Sequence, residues 1–370
     1  MRVKLGFKSD VAMFNLLLLT KLFYIFFAEY IYSMLTRLGD TPKYLSSSIE
    51  VNLRALYSST QLMKTTGGIL GYLPAPLYHV PLCLLSWYGL VFLYKQLSIN
   101  GIVYRETDRI KFYIVFSLPS VAVWSSIHSK EAVGVFFASV LSTLIIKFSS
   151  REKFNFDKFY VLIVLFSGYL LLTFKPQYFI SLFSILLYFL LSRRFSYIWA
   201  FCVLFLGLTI QLYLLYYFQP LVDMYALQMH AHFDSAMAKS TRENIFLNDW
   251  DFYKNAPSGL LVAFIGPTIS ESVTSPPKFL AFAESLILVV ILLPIFLHQA
   301  GRFLVLKINV NHLAIILLLI FWLLFVHYPF GIFNPGSALR YRVNFLPFLV
   351  TSMFVISSRY SSKNIKKTKK

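Results

Sequence analysis

Apolar residues run through this chain in long blocks separated by short polar clusters. Blocks of about 16–25 residues can cross roughly 30 Å of hydrocarbon as helices. They fall at about 12–36, 73–94, 112–127, 131–147, 159–174, 177–192, 196–218, 280–298, 311–328 and 343–358. The pattern predicts an all-α, polytopic transmembrane helical bundle of about 10 spans, within a range of 8–12. These spans form a single transmembrane domain, 1–358, followed by a basic tail, 359–370.

Two connections are long, about 37–72 and 219–279, and loops of that length are usually functional or structured. In the first, Leu45, Ile49, Leu53, Leu56 and Tyr57 form a helical stripe, which predicts a helix lying flat on the membrane surface. The second predicts a helix followed by an irregular Gly/Pro/Ser-rich loop that reaches Pro276 and Pro277.

Composition agrees with a membrane. The 370 residues are 58% hydrophobic and 14% charged, with a mean hydropathy of +0.66. A soluble domain lacks the polar surface to cover that much apolar material. The two cysteines, Cys83 and Cys202, both fall in apolar spans and are expected to be small buried hydrophobes with no disulfide framework.

Charge sets the orientation. The net charge of +18 in a soluble protein would suggest nucleic acid, but here the positives sit between spans, which excludes that partner. With the N-terminus inside, the cytoplasmic segments carry Arg2, Lys4 and Lys8; Lys95, Arg105, Arg109 and Lys111; Lys147, Arg151, Lys153 and Lys158. They also carry Arg193 and Arg194, Arg302 and Lys307, and six further positives from Arg359 onward. Every cytoplasmic connection is then basic, both termini are cytoplasmic, and both long loops are extracytoplasmic. The lysine-rich tail suits anionic lipid head groups. The first span reads as a signal anchor, because no small-residue cleavage site follows it.

Four positives have no topological reason to be where they are: Lys130, Lys175, Arg340 and Arg342 all fall at outer boundaries. A charge near hydrocarbon is costly unless paired or snorkelled. An anionic partner such as a lipid phosphate fits, since guanidinium forks bind phosphate oxygens bidentately and ammonium acts as a point charge. Lys130 adjoins Glu131, which a helix N-terminus also favours. Lys175 lies in a Lys175-Pro176-Gln177 turn. Arg340 and Arg342, flanking Tyr341, would diverge by about 200° on a helix.

Asp40 follows the first span. A carboxylate there suits either a general base toward a hydroxyl or an N-cap before Pro42. His79, one turn inside the second span, suits a donor to phosphate or sugar, or a helix–helix hydrogen bond. His230 and His232 with Asp234 have a spacing that suits a strand, and no further metal ligand accompanies them, so no metal site is assigned. Phosphate-binding glycine loops, nucleophile elbows and zinc motifs are absent from the sequence. Only Glu29 and Glu284 are intramembrane acids, with Lys21 the one buried base, which is few for a proton-coupled transporter.

In order and sidedness these features resemble the polytopic GT-C glycosyltransferases, in the group that includes protein mannosyltransferase-like and aminoarabinose transferase-like enzymes. The resemblance rests on Asp40 with Tyr44 nearby, on Pro74-Ala75-Pro76-Leu77-Tyr78-His79, and on Leu118-Pro119-Ser120 through Trp124-Ser125 to Lys130-Glu131. It also rests on Lys175-Pro176-Gln177 and on Arg340-Tyr341-Arg342. It implies that Asp40 is the catalytic base and that Arg340, Arg342 and Lys175 bind the phosphate of a polyprenyl-phosphate sugar. Tyr341, Gln177, Lys130, Glu131, His79 and Tyr44 complete the implied substrate-binding set. The lone aspartate, in place of an acidic pair, argues for metal-independent transfer from a monophosphate donor, with no cofactor. The acceptor would be a saccharide or lipid, and the location a bacterial inner membrane with its active site facing outward. An O-antigen or exopolysaccharide polymerase is a near neighbour. A transporter or flippase of lipid-linked sugars is the rival from another class.

Overall fold

The computed structural model describes residues 6–36, 38–50, 52–103, 105–149, 157–235, 241–243, 245–304 and 310–367. Among the described residues every regular element is a helix. Among the described residues, seven helices are long and apolar enough to cross a membrane: Asp10–Leu35, Leu77–Ile99, Lys130–Ser149, Tyr197–Tyr217, Pro276–His298, Val310–Gly331 and Pro335–Ser357. A 20-residue helix such as Lys130–Ser149 is about 30 Å long, the thickness of the hydrocarbon layer. By the length and apolar character of these helices, the chain is a membrane protein.

The segment expected to span at 112–127 is instead two helices, Glu106–Ser117 and Pro119–Ser126. They part at Leu118, which is extended, with φ −55° and ψ 137°. The ring of Pro119 excludes its predecessor from the helical region. Lys158–Phe174 is apolar but only 17 residues long, and Gln177–Arg194 has 18.

The first long loop differs from its expectation. The stripe from Leu45 to Tyr57 is not one helix but the end of Thr41–Leu45, an irregular stretch and a 3₁₀ turn, Leu53–Leu56. The helix of this loop lies further on, at Ser59–Leu70. Small polar residues decide these boundaries by capping. The Asn52 side chain accepts from the Arg54 N–H at 3.0 Å, and Ser58 accepts from the Gln61 N–H at 3.4 Å. Gly67 lets Ser59–Leu70 close on Thr41–Leu45, since a Cβ there would overlap the Tyr44 carbonyl. The second loop begins as expected with a helix, Gln219–Ser235, but its Gly/Pro/Ser-rich part is not irregular. It forms Ala256–Ile265 and Ile269–Ser272.

The chain groups into two compact units. One comprises Met1–Ile146, Lys153–Pro176 and Val343–Lys370; the other comprises Lys147–Glu152 and Gln177–Arg342. In the first unit, Lys21 is a buried ammonium inside an apolar helix. Its three protons match three acceptors: Ser86 Oγ at 3.0 Å, the Ser125 carbonyl at 3.2 Å and Ser125 Oγ at 2.5 Å. This satisfaction ties Asp10–Leu35 to Leu77–Ile99 and Pro119–Ser126. Gly134 serves close packing in the same unit, because a Cβ there would overlap the Asn344 side-chain oxygen.

In the second unit, Phe246, Phe252, Tyr328 and Phe333 form an aromatic core. Beside it, Arg242 forks onto Glu271, with Nε to Oε1 at 2.7 Å and Nη2 to Oε2 at 2.6 Å. It also donates to the carbonyls of Ile332 at 2.7 Å and Gly266 at 2.6 Å. Glu271 in turn caps Ile269–Ser272 reciprocally with Thr268. Cys83 is buried as expected, whereas Cys202, in Tyr197–Tyr217, is exposed.

Candidate functional site

The first helix changes winding near its end. Residues Ala28–Tyr32 form a π-helical turn, and Glu29 lies within it. Such turns hold one surplus residue and occur often at functional sites. The Glu29 carboxylate is 22% exposed and is held by two consecutive residues. Tyr78 donates its hydroxyl to Oε1 at 2.5 Å, and His79 Nε2 lies 3.3 Å from Oε2.

The other face of the His79 ring fixes its tautomer. Its Nδ1 accepts the backbone N–H of His128 at 3.1 Å, so the ring proton belongs on Nε2, toward Glu29. His79 is wholly buried. Of the two readings offered for this histidine, the hydrogen bonds between helices are present. They orient a carboxylate rather than another helix backbone alone.

His128 links this pair to the Asp40 segment. It is buried, and its carbonyl accepts the Thr41 hydroxyl at 2.9 Å. Its ring meets the Tyr44 ring edge-on at 6.3 Å. Nε2 faces the Met63 carbonyl at 3.2 Å and must donate to it, which leaves Nδ1 as a buried acceptor with no hydrogen bond. Burial lowers the His128 pKa and the Met63 carbonyl only partly opposes this, so the ring stays neutral near pH 7.

Asp40 itself is half-buried and stands at the N-cap position of Thr41–Leu45 without a side-chain capping bond. Two residues past His128, Lys130 donates to Thr60 Oγ1 at 2.7 Å. Glu131 is buried in the first turn of Lys130–Ser149. The first unit therefore gathers the Asp40 segment, Tyr44, His79 and the 128–131 turn, with Glu29, Tyr78 and His128 added. Lys175 caps the end of Lys158–Phe174. That helix is tied to the first loop by the Tyr169 hydroxyl, which donates to the Leu56 carbonyl at 2.6 Å.

Other sequence candidates belong to the second unit. Gln177 opens Gln177–Arg194. Arg340, Tyr341 and Arg342 are helical, in Pro335–Lys367, and the two arginines have different surroundings. Arg340 is partly exposed and lies over the Tyr341 ring at 5.7 Å. Arg342 is fully buried. Its guanidinium donates to Glu284 at 3.2 Å, to the Phe264 carbonyl at 2.8 Å and to Ser285 Oγ at 2.9 Å. The spacing of His230, His232 and Asp234, read as suiting a strand, falls within the helix Gln219–Ser235; their side chains lie outside the described residues.

Three members of the first cluster, Glu29, Tyr78 and His128, were not among the expected site residues. Glu29 carried a signal, being an acid in an apolar span, but nothing nearby in sequence names Tyr78 and His79 as its partners. His128 gave none, because its backbone makes two of its three hydrogen bonds.

No family model matches this chain, and neither a characterised protein nor a solved structure matches it.

Proposed function

We propose that this protein is a membrane glycosyltransferase of GT-C type. It would move a sugar from a polyprenyl-phosphate donor to an acceptor hydroxyl at the outer face of a bacterial inner membrane, in cell-envelope polysaccharide or glycolipid synthesis. The reading includes about ten spans with both termini cytoplasmic, supported by the basic character of every connection assigned to the inside. The observation that carries it is the hydrogen bond from the Thr41 hydroxyl to the His128 carbonyl, 2.9 Å long. It pins the residue next to Asp40 to the turn that bears Lys130.

In this mechanism Asp40 takes the proton of the acceptor hydroxyl as that oxygen attacks the anomeric carbon. The bond from the anomeric carbon to the phosphate oxygen breaks, and the polyprenyl phosphate leaves with the electron pair. Lys130 stabilises the growing phosphate charge, a contribution that is larger where water is scarce. Arg342 spends its guanidinium on Glu284, Ser285 and Phe264, so phosphate binding is assigned to the lysine ahead of it.

The test is sugar transfer by purified protein supplied with polyprenyl-phosphate sugars. Asp40→Asn should abolish transfer while the protein folds and binds the lipid donor as before. Full transfer by that variant would sink Asp40 as the base and favour a polymerase acting on lipid pyrophosphate.

A further inference from the structure

Trp250 is the one non-glycine residue with a left-handed backbone among those described, at φ 71° and ψ −2°. A bulky side chain at positive φ is a genuine outlier, and such residues cluster where a ligand is held. Glycine would take this conformation freely. Asn248 and Asp249, of the types that tolerate it best after glycine, stand just before it. The turn alone gives no reason for an indole here.

The surroundings hold it firmly. The Trp250 backbone N–H donates to Asp223 Oδ2 at 3.0 Å, and Asp223 is itself buried and bonded to Gln219. Asp251 gathers the N–H groups of Leu247 at 3.0 Å and Asn248 at 2.8 Å. The Tyr253 hydroxyl donates to the Leu215 carbonyl at 2.6 Å. The outcome is a fixed aromatic surface. The indole lies 5.3 Å from the Tyr216 ring and 5.5 Å from the Tyr253 ring. Trp250 keeps 36% of its surface exposed and Tyr216 keeps 61%.

We propose that Trp250, with Tyr216 and Tyr253, is a saccharide-binding platform for a neutral or amino pyranose. Pyranose rings present a C–H face that stacks on aromatic rings, and a rim of hydroxyls that bonds to carboxylates and amides. Asn248 and Asp249, the two residues before Trp250, are exposed and carry such groups. A lipid chain has no use for that rim. The carboxylates of Asp223, Asp249 and Asp251, against Lys254, disfavour phosphorylated or uronic sugars. Any part the platform plays in a reaction rests on the transferase reading; its binding chemistry does not.

The experiment uses the purified full chain in lipid nanodiscs on an array of neutral, amino, uronic and phosphorylated oligosaccharides, without any donor lipid. Binding to at least one neutral or amino pyranose is expected. Trp250→Ala should lose about tenfold or more in affinity, the order of one stacking contact, and Trp250→Phe should keep part of it. Tyr216→Ala, at an exposed helical position, provides a second variant if Trp250→Ala fails to fold. A blank array, binding to acidic sugars only, or unchanged affinity in both alanine variants would overturn the platform. Indole quenching by brominated lipid that Trp250→Phe removes would make it an interface anchor and also overturn it. Asp40→Asn should bind the array normally, so a failed transferase reading and a failed platform give different results.

Discussion

The His128 backbone N–H donates to Nδ1 of His79 at 3.1 Å, and this bond determines which ring nitrogen of His79 carries the proton. Through Nε2 the imidazole then faces Glu29. Replacing His79 with Phe keeps the ring's bulk, leaves a buried N–H without an acceptor and removes one donor from a carboxylate. The expected loss is about 2–4 kcal/mol of stability, read as a lower melting midpoint of the purified protein. A midpoint equal to wild type would mean that neither bond contributes.

The Arg342–Glu284 pair is buried on both sides, with side-chain exposures of 0% and 3%. Removing one partner strands the other, so Arg342→Met and Glu284→Leu should each cost about 3–5 kcal/mol. The double variant should recover part of that loss, because no charge is left behind. Strict additivity in this cycle would show that the two groups do not interact.

At Gly134 the expected effect is steric. Gly134→Ala should cost about 1–3 kcal/mol, because a well-packed site must shift around the new methyl group. Asn344→Ala in the same chain should restore part of it, by removing the oxygen that a Cβ meets. Thermal melts of the three variants separate this relief from a general tolerance of alanine.

Acid should weaken the second unit through Glu271. Burial raises that carboxyl, but the Arg242 fork and the Thr268 N–H outweigh it, leaving the pKa below the ordinary glutamate value. A lowered folded-state pKa gives stability that is complete above the unfolded value, about 4.3. That stability is lost as pH falls through the folded one. Arg242→Met should therefore lower the melting midpoint at pH 7 and flatten its decline below about pH 4.5. An acid limb of unchanged slope would remove Glu271 as its source.

His128 gives the same sign at a higher pH. Its lowered pKa means that the unfolded chain binds more protons below about pH 6.5. Stability should decline as pH falls through that region, and His128→Gln, which cannot take up a proton, should abolish this part of the decline. Melts at pH 7.5 and pH 5.5 measure the difference.

The apolar blocks made the spans legible because burial in lipid is written in runs of residue types, with little dependence on partners. The break at Leu118 within the expected span 112–127 was missed because hydropathy is blind to the proline that follows it. The surface helix was shifted to Ser59–Leu70 because Asn52 and Ser58 act through single hydrogen bonds. In the site, Asp40, His79 and Lys130 stood out as polar groups near span ends, while Tyr44 entered only through the resemblance. The partnership of Glu29 with Tyr78 and His79 joins residues about fifty positions apart. No local pattern encodes such a pairing. Arg342 shows the reverse: its charge was conspicuous, while the glutamate that absorbs it lay 58 residues earlier.

The π-helical turn Ala28–Tyr32 has a consequence for everything downstream of it. One surplus residue turns the remainder of the helix by about 100° relative to an uninterrupted winding. The azimuth at which the chain leaves its first span, and so the direction in which Asp40 sets out, depends on that one extra position. Deleting a single residue between Ala28 and Tyr32 would leave the composition of the span nearly untouched. It would still rotate the departure of the whole first loop by more than a quarter of a circle. The bulge is a phase setting for the loop it feeds.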